Sequence, residues 1–271
     1  MTLTLTLREP PAATVLAEPV RPDRLAGMSR REIERLELRH GNRPAPLGEL
    51  FTVSGSGADE VRVVGDLGRV AGLGAGMTGG RLTVAGIGGP HVGAGMRDGE
   101  LVVEGDAGDW AGAEMHGGRL VVHGSVGGHL GGAYAGSRAG MRGGEILVDG
   151  DAGEQAGAGL RRGLIAVAGR VGAAAGLTAL AGTIVAFGPV GAHAGAGMRR
   201  ASIVAMAGAG LLPTYAPACA YRPPFVRLCL HRLRELGMPV DQDQIDGRYT
   251  RWSGDGVDLG RGEILMLEAR Q

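Results

Sequence analysis

The stretches Glu100-Leu-Val-Val-Glu-Gly105, Glu145-Ile-Leu-Val-Asp-Gly150 and Leu164-Ile-Ala-Val-Ala-Gly169 are copies of one pattern, a short aliphatic run closed by glycine. Between Val61 and Ala207 the pattern recurs about eight times. Its closing glycines are Gly65, Gly86, Gly105, Gly124, Gly150, Gly169 and Gly188, with Ala207 in the eighth place, at intervals of 21, 19, 19, 26, 19, 19 and 19 residues. Self-similarity at a fixed period of this size marks a stack of repeats, each burying its apolar face against the next.

Each copy carries the same physical content. The Val, Ile and Leu run makes a short strand. Glycines then turn the chain, because glycine alone takes positive φ without a Cβ clash. A small-residue half such as Gly93-Ala-Gly-Met96 or Gly195-Ala-Gly-Met198 leads to a second turn at Gly79-Gly80, Gly117-Gly118 or Gly143-Gly144. Nineteen residues are too few for a strand–helix–strand unit, which needs roughly 30, but enough for one coil of stacked strands about 4.8 Å apart. The aliphatic run comes once per coil and not every six residues, which disfavours a left-handed hexapeptide helix. The expected fold is therefore all-β: a right-handed parallel β-helix, a solenoid of about 19-residue coils, with short helical caps at the N- and C-terminal ends. The 26-residue interval is one coil plus seven residues near Ala133-Tyr134-Ala-Gly-Ser-Arg138-Ala139, an insertion expected on a functional face.

Three regions are expected: residues 1–60 as N-terminal strand, linker and cap, 61–210 as the glycine-repeat β-helix, and 211–271 as a helix and strand packing on the solenoid. Thr2–Leu7 alternates with period two and reads as a strand, not a signal peptide. Ser29 and Glu32 have capping-box spacing, so a helix is expected through about Leu38. Leu50–Val53 reads as a degenerate first strand. Pro223-Pro224 opens a second helix ending at Leu236, with Phe225, Leu228, Cys229, Leu233 and Leu236 at helical spacing.

The 271 residues include 53 glycines and only 3 % aromatics, so the core must be aliphatic and thin. The net charge is zero, which argues against non-specific nucleic-acid or membrane-surface binding. All 28 basic residues are arginine, a bias that reflects coding in a GC-rich genome. Cys219 and Cys229 read as two buried thiols of a cytoplasmic protein. No run of 18 apolar residues is present to span a membrane.

Two columns emerge when the coils are aligned. His91, Trp110, His129, Gln155 and His193 share one position. The histidines fall in non-adjacent coils roughly 10–15 Å apart, too far to share a metal whose ligands sit near 2 Å, so no metal site is expected. The residue after the second-corner Met is Thr78, Arg97, His116, Arg142, Arg161, Leu180 and Arg199. Guanidinium groups match carboxylates bidentately, so Arg97, Arg142, Arg161 and Arg199, with Arg138 of the insertion, are candidates for binding a polycarboxylate tail. A solvated corner that keeps the protein soluble is the competing reading. No nucleophile–base pair or phosphate-binding loop is present, and no catalytic residue is expected.

The repeat with its Gly-Ala-Gly-Met corners resembles the C-terminal domain of glutamate synthase and the C subunit of formylmethanofuran dehydrogenase. The flanks Pro46-Leu-Gly-Glu-Leu-Phe51, Leu211-Leu-Pro-Thr214, Leu233-Arg-Glu-Leu-Gly237, Arg248–Asp255 and Gly262-Glu-Ile-Leu265 are similar to the latter. That resemblance implies a hetero-oligomer. In its bacterial branch, the formyltransferase/hydrolase complex, a formyl group passes from formyl-tetrahydromethanopterin to a methanofuran analogue and is hydrolysed to formate. There zinc sits in the amidohydrolase-like A protein, and the other companions are the B protein and a formyltransferase, the D protein. In its methanogen branch molybdenum or tungsten in another protein of the complex reduces CO2 onto methanofuran. The Arg-only composition resembles the bacterial branch, and the arginine column would then guide the carrier's polyglutamyl tail. A glutamate-synthase-like domain and a stand-alone trimeric β-helix enzyme are the other readings; the missing cluster-binding cysteines weigh against the first.

Overall fold

The computed structural model describes residues 2–57 and 59–269. Its main element is a thirteen-stranded sheet. Repeat strands Glu60–Val64, Thr78–Ala85, Asp98–Val103, Arg119–Val122, Arg142–Val148, Arg162–Val167, Thr183–Ala186 and Ser202–Ala205 lie side by side in parallel. Register follows the aliphatic residues: Val61, Leu82, Leu101, Leu120, Ile146, Ile165, Ile184 and Ile203 form one continuous buried row. Slipping any strand by one residue would turn its member of this row out of the interior to the opposite face, so the apolar pattern itself fixes pairing. The longer interval leaves the register intact, with Arg119 opposite Glu145.

The expectation of a regular right-handed parallel β-helix is corrected here. The large sheet is mixed: Leu3–Leu7 joins it parallel to the first repeat strand and antiparallel to the edge strand Phe51–Ser54. At the other end Gly262–Leu267 pairs parallel with the last repeat strand, and Tyr249–Gly254 and Ala216–Tyr221 add antiparallel. The second half of most repeats is not a strand. It contributes single parallel bridges, from Leu67 through Gly88, Ala107, Val126, Ala152 and Val171 to Val190, and otherwise consists of turns. A two-stranded and a four-stranded sheet complete the β-structure of the described residues. The reason lies in the Gly/Ala half-repeat, whose residues alternate through positive φ and cannot hold extended ladder geometry.

Packing shows why particular glycines are needed. At Gly99 (φ +89°) a Cβ would lie 2.5 Å from the ε-methyl of Met77, the buried corner residue of the preceding repeat. At Gly112 (φ +61°) it would lie 2.6 Å from Cδ1 of Ile146. Each repeat thus leaves a methyl-sized gap that its neighbour fills.

The flanking helices differ in part from expectation. The capping box at Ser29 and Glu32 forms, but the helix is only Arg30–Glu34. Glu37–His40 instead pairs with Val15–Leu16 and Arg43–Pro46, since Leu38 is buried in a strand alternation. Pro224–Glu235 is helical and lies on the outer face of the sheet. Its inward residues are Val226, Leu230 and Leu233, packed with Leu147, Ala166, Val185, Val204 and Leu265. Phe225 and Leu228, read from the sequence as part of the apolar face, point outward. Cys219 and Cys229 are free thiols; Cys219 is exposed, not buried as expected.

Candidate functional site

The corner column is physically continuous. The N–H groups of Arg97, His116, Arg142, Arg161 and Arg199 donate to the carbonyls of Met77, Met96, Met115, Met141 and Ala179 respectively, so the first four rise one strand spacing, about 4.8 Å, at a time, and Arg199 follows Arg161 after the intervening Leu180. Arg97, Arg142 and Arg161 are exposed, and no ion pair involves them or Arg138 among the described residues. Arg199 differs: its Nε lies 2.8 Å from Asp258 Oδ2. The structure therefore leaves four of the five candidate guanidiniums free for an external anion.

A second arginine column runs up the sheet and behaves oppositely. Arg81 meets Glu100 at 3.2 Å, Arg119 meets Glu100 at 3.7 Å and Glu145 at 3.0 Å, and Arg232 of the outer helix reaches Glu145 at 3.2 Å. These charges neutralise one another and tie the helix to the sheet.

The insertion forms a third feature. It leaves the repeat stack at Ala133, whose N–H donates to Ala158, and returns at Gly140, whose N–H donates to Gly159. Tyr134 reaches back over Trp110, ring centroids 5.0 Å apart, and its hydroxyl lies 2.9 Å from His91 Nδ1. Trp110 stacks on His129 at 4.0 Å and 6°, and Glu114 Oε1 accepts the Tyr134 N–H at 3.2 Å. Burial holds His91 below the usual imidazole range, outweighing the pull of Glu18 and Asp109, so the ring is neutral near pH 7. Burial likewise raises Tyr134, so its hydroxyl stays protonated and able to donate to the neutral ring. Beside Tyr134 a groove of about 510 Å³ opens over Gly76 and Gly95, walled by Glu18, Arg21, Arg24 and Glu114. Its mixed charge sets it apart from the basic column.

At His91, Trp110 and His129 the shared position in the sequence is thus an aromatic stack, with Trp110 between the two histidines. His91, Trp110, His129, Gln155 and His193 all have φ near +60°. Equal 19-residue spacing of aromatic rings was the available signal; that Tyr134 belongs to the same stack was not legible. No group of three or more His, Cys, Asp or Glu suited to a metal occurs among the described residues.

Fold and surface columns together define a repeat-built sheet protein with one neutralised and one free arginine column. No family model matches the chain. Over 98 % of its length it superposes, with a TM-score of 0.92 and 34 % identity, on the whole of one chain in the crystal structure of the formyltransferase/hydrolase complex (FhcABCD) from Methylorubrum extorquens in complex with methylofuran. It is 36 % identical over 87 residues to the C subunit of the tungsten-containing formylmethanofuran dehydrogenase 2 of Methanothermobacter thermautotrophicus, matching 30 % of this chain and 32 % of that protein. It is 40 % identical over 81 residues to the C subunit of the molybdenum-containing formylmethanofuran dehydrogenase 1 of Methanosarcina barkeri, matching 28 % of this chain and 27 % of that one. The chain spans about a third of the length of the curated relatives it matches. It belongs to the family of C subunits found in formyltransferase/hydrolase and formylmethanofuran dehydrogenase complexes.

Proposed function

We propose that this chain is the structural, carrier-guiding subunit of a cytoplasmic complex that transfers a formyl group from formyl-tetrahydromethanopterin to a methanofuran analogue and hydrolyses it to formate. Its whole-length likeness to a chain of the FhcABCD complex, solved with methylofuran, carries the reading. On this reading the bond-making and bond-breaking chemistry belongs to companion proteins: the amidohydrolase-like A protein holding zinc, the B protein and the formyltransferase D. This chain supplies a rigid edge along which the carrier's anionic tail moves.

Arg97, Arg138, Arg142 and Arg161 are the residues proposed to receive that tail. Exposed guanidiniums attract carboxylates with only modest energy each, which suits a tail that must travel between sites and not lodge at one. Arg199 contributes only if its contact with Asp258 opens.

Component masses and bound metals of the native complex recovered through this chain test the proposal. Three companion proteins with zinc, and neither molybdenum nor tungsten, are expected. The curated relatives favour a second reading, a subunit of a molybdenum or tungsten formylmethanofuran dehydrogenase. Either of those metals in the recovered complex would establish it instead.

A further inference from the structure

We propose that the loop between Gly254 and Gly262 is a preformed docking knob, whose Val257 and Leu259 enter an apolar pocket with an acidic rim on a companion subunit. The inference rests on the proposed function in requiring companions, but not on which branch of the family they come from. Val257 and Leu259 are 82 % and 73 % exposed, the highest values among the exposed large apolar side chains described. They stand two residues apart at the tip of one short loop, and neither belongs to a core cluster.

The loop is nonetheless tightly held. The Asp255 carboxylate accepts the N–H groups of Val257 and Gly197, each at 3.1 Å. Its carbonyl accepts those of Asp258 at 3.0 Å and Gly260 at 2.9 Å, and Gly256 N–H donates to Thr214. Asp258 is clamped by Arg199 at 2.8 Å. Leu259 sits at φ +71°, a left-handed conformation that glycine would adopt more cheaply. The surrounding contacts thus fix a strained backbone whose result is two apolar side chains aimed at water. Residues kept in such conformations by over-determined surroundings concentrate where a surface is used, and ordering an anchor in advance lowers the entropy lost on binding.

Charge identifies the occupant. Arg200, next to the clamping Arg199, and Arg261, next to the loop's end, are exposed. Neither has an ion-pair partner among the described residues, while the loop's own Asp258 is already engaged. An apolar knob with free guanidiniums beside it fits an apolar pocket edged by carboxylates. A companion subunit is the occupant, since the similar chain was solved within a multi-subunit complex.

The test uses the complete complex, assembled with V257S/L259N in this chain; Asn tolerates the left-handed backbone, so the loop is kept. Native mass spectrometry on dilution should show this chain dissociating at least tenfold more readily than wild type. Hydrogen exchange at Gly262–Leu267 should be unchanged, which separates lost docking from lost folding. R200E/R261E should weaken assembly by a smaller factor. A photo-crosslinker placed at position 259 should capture a companion subunit. A variant complex of full stoichiometry and unchanged dissociation overturns the docking alone, as does a crosslink to a second copy of this chain. A wild-type chain that recovers no companions overturns the proposed function as well.

Discussion

On the sheet, Arg81 and Arg119 alternate with Glu100 and Glu145, while at the corner Arg97, His116, Arg142 and Arg161 follow one another with no acidic residue between them. Both columns are produced by the same repeat, and both climb by about one strand spacing per step. The sheet column alternates in sign and consumes its charge internally. The corner column carries one sign and leaves its charge available. Periodicity therefore places a residue, and the sign of its neighbours above and below decides whether its charge is paired within the fold or left exposed.

The comparison can be broken most severely through the register that both columns share. Ile146→Ala removes a fully buried row residue and should cost about 2–5 kcal/mol in urea-unfolding measurements, the usual range for such truncations. A loss under about 1 kcal/mol would mean that the row does not hold the register.

Charge reversal separates the columns. R142E/R161E should raise the carrier KM of the complex about tenfold with kcat unchanged, the sum of two exposed pairs turned from attraction to repulsion at roughly 0.2–1 kcal/mol each way. The difference should shrink in high salt. An unchanged KM with an intact complex would show the corner column to be merely solvated.

Trp110→Ala asks whether the insertion belongs to the free column. Losing the rings' contacts, worth about 0.5–1.5 kcal/mol per aromatic pair, should speed hydrogen exchange across residues 133–139 and raise the carrier KM a few-fold through Arg138. Faster exchange with the same KM would remove Arg138 from the tail-binding set.

Glu145→Ala leaves both Arg119 and Arg232 short of a partner. A stability loss of about 1 kcal/mol or less is expected for these partly exposed pairs, with the carrier KM unaltered. The smallest effect concerns the forked pair of Arg62 with Glu104, at 2.7 and 2.9 Å, which holds the Glu104 carboxyl below its ordinary value of 4.5. A depressed folded-state pKa stabilises the protein above the unfolded value and loses that contribution as pH falls through the folded one. Because both side chains are about two-fifths exposed, the effect should be only a few tenths of a kcal/mol after solvent screening. Thermal midpoints of wild type and Arg62→Met should differ slightly at pH 7 and converge as the pH falls through the folded-state value of Glu104.

The position of the insertion was legible because a 26-residue interval among nineteens can mean little else. The arginine column was legible for the same reason. Its partition was not: nothing local to Arg199 announces Asp258, 59 residues further on. The outer helix shows the same limit. Val226, Leu230 and Leu233 and the rival set with Phe225 and Leu228 are both spaced for a helix, and the choice was made by the apolar row Leu147–Leu265 that the sheet presents. The β-helix expectation failed because the repeat length constrains only how copies stack. Whether the Gly/Ala half extends into a strand depends on backbone angles that glycine leaves open.

What the sequence alone determined is the stacking: a 19-residue period with one aliphatic run per copy forces parallel, in-register strands, since any other register takes the apolar row out of the interior. What tertiary structure decided is everything between copies and beyond them. The antiparallel strands close both ends, Tyr134 crosses Trp110 to reach His91, and one arginine column is neutralised while the other stays free. Those outcomes depend on contacts between residues far apart in the chain, whose distance and sign no local pattern encodes.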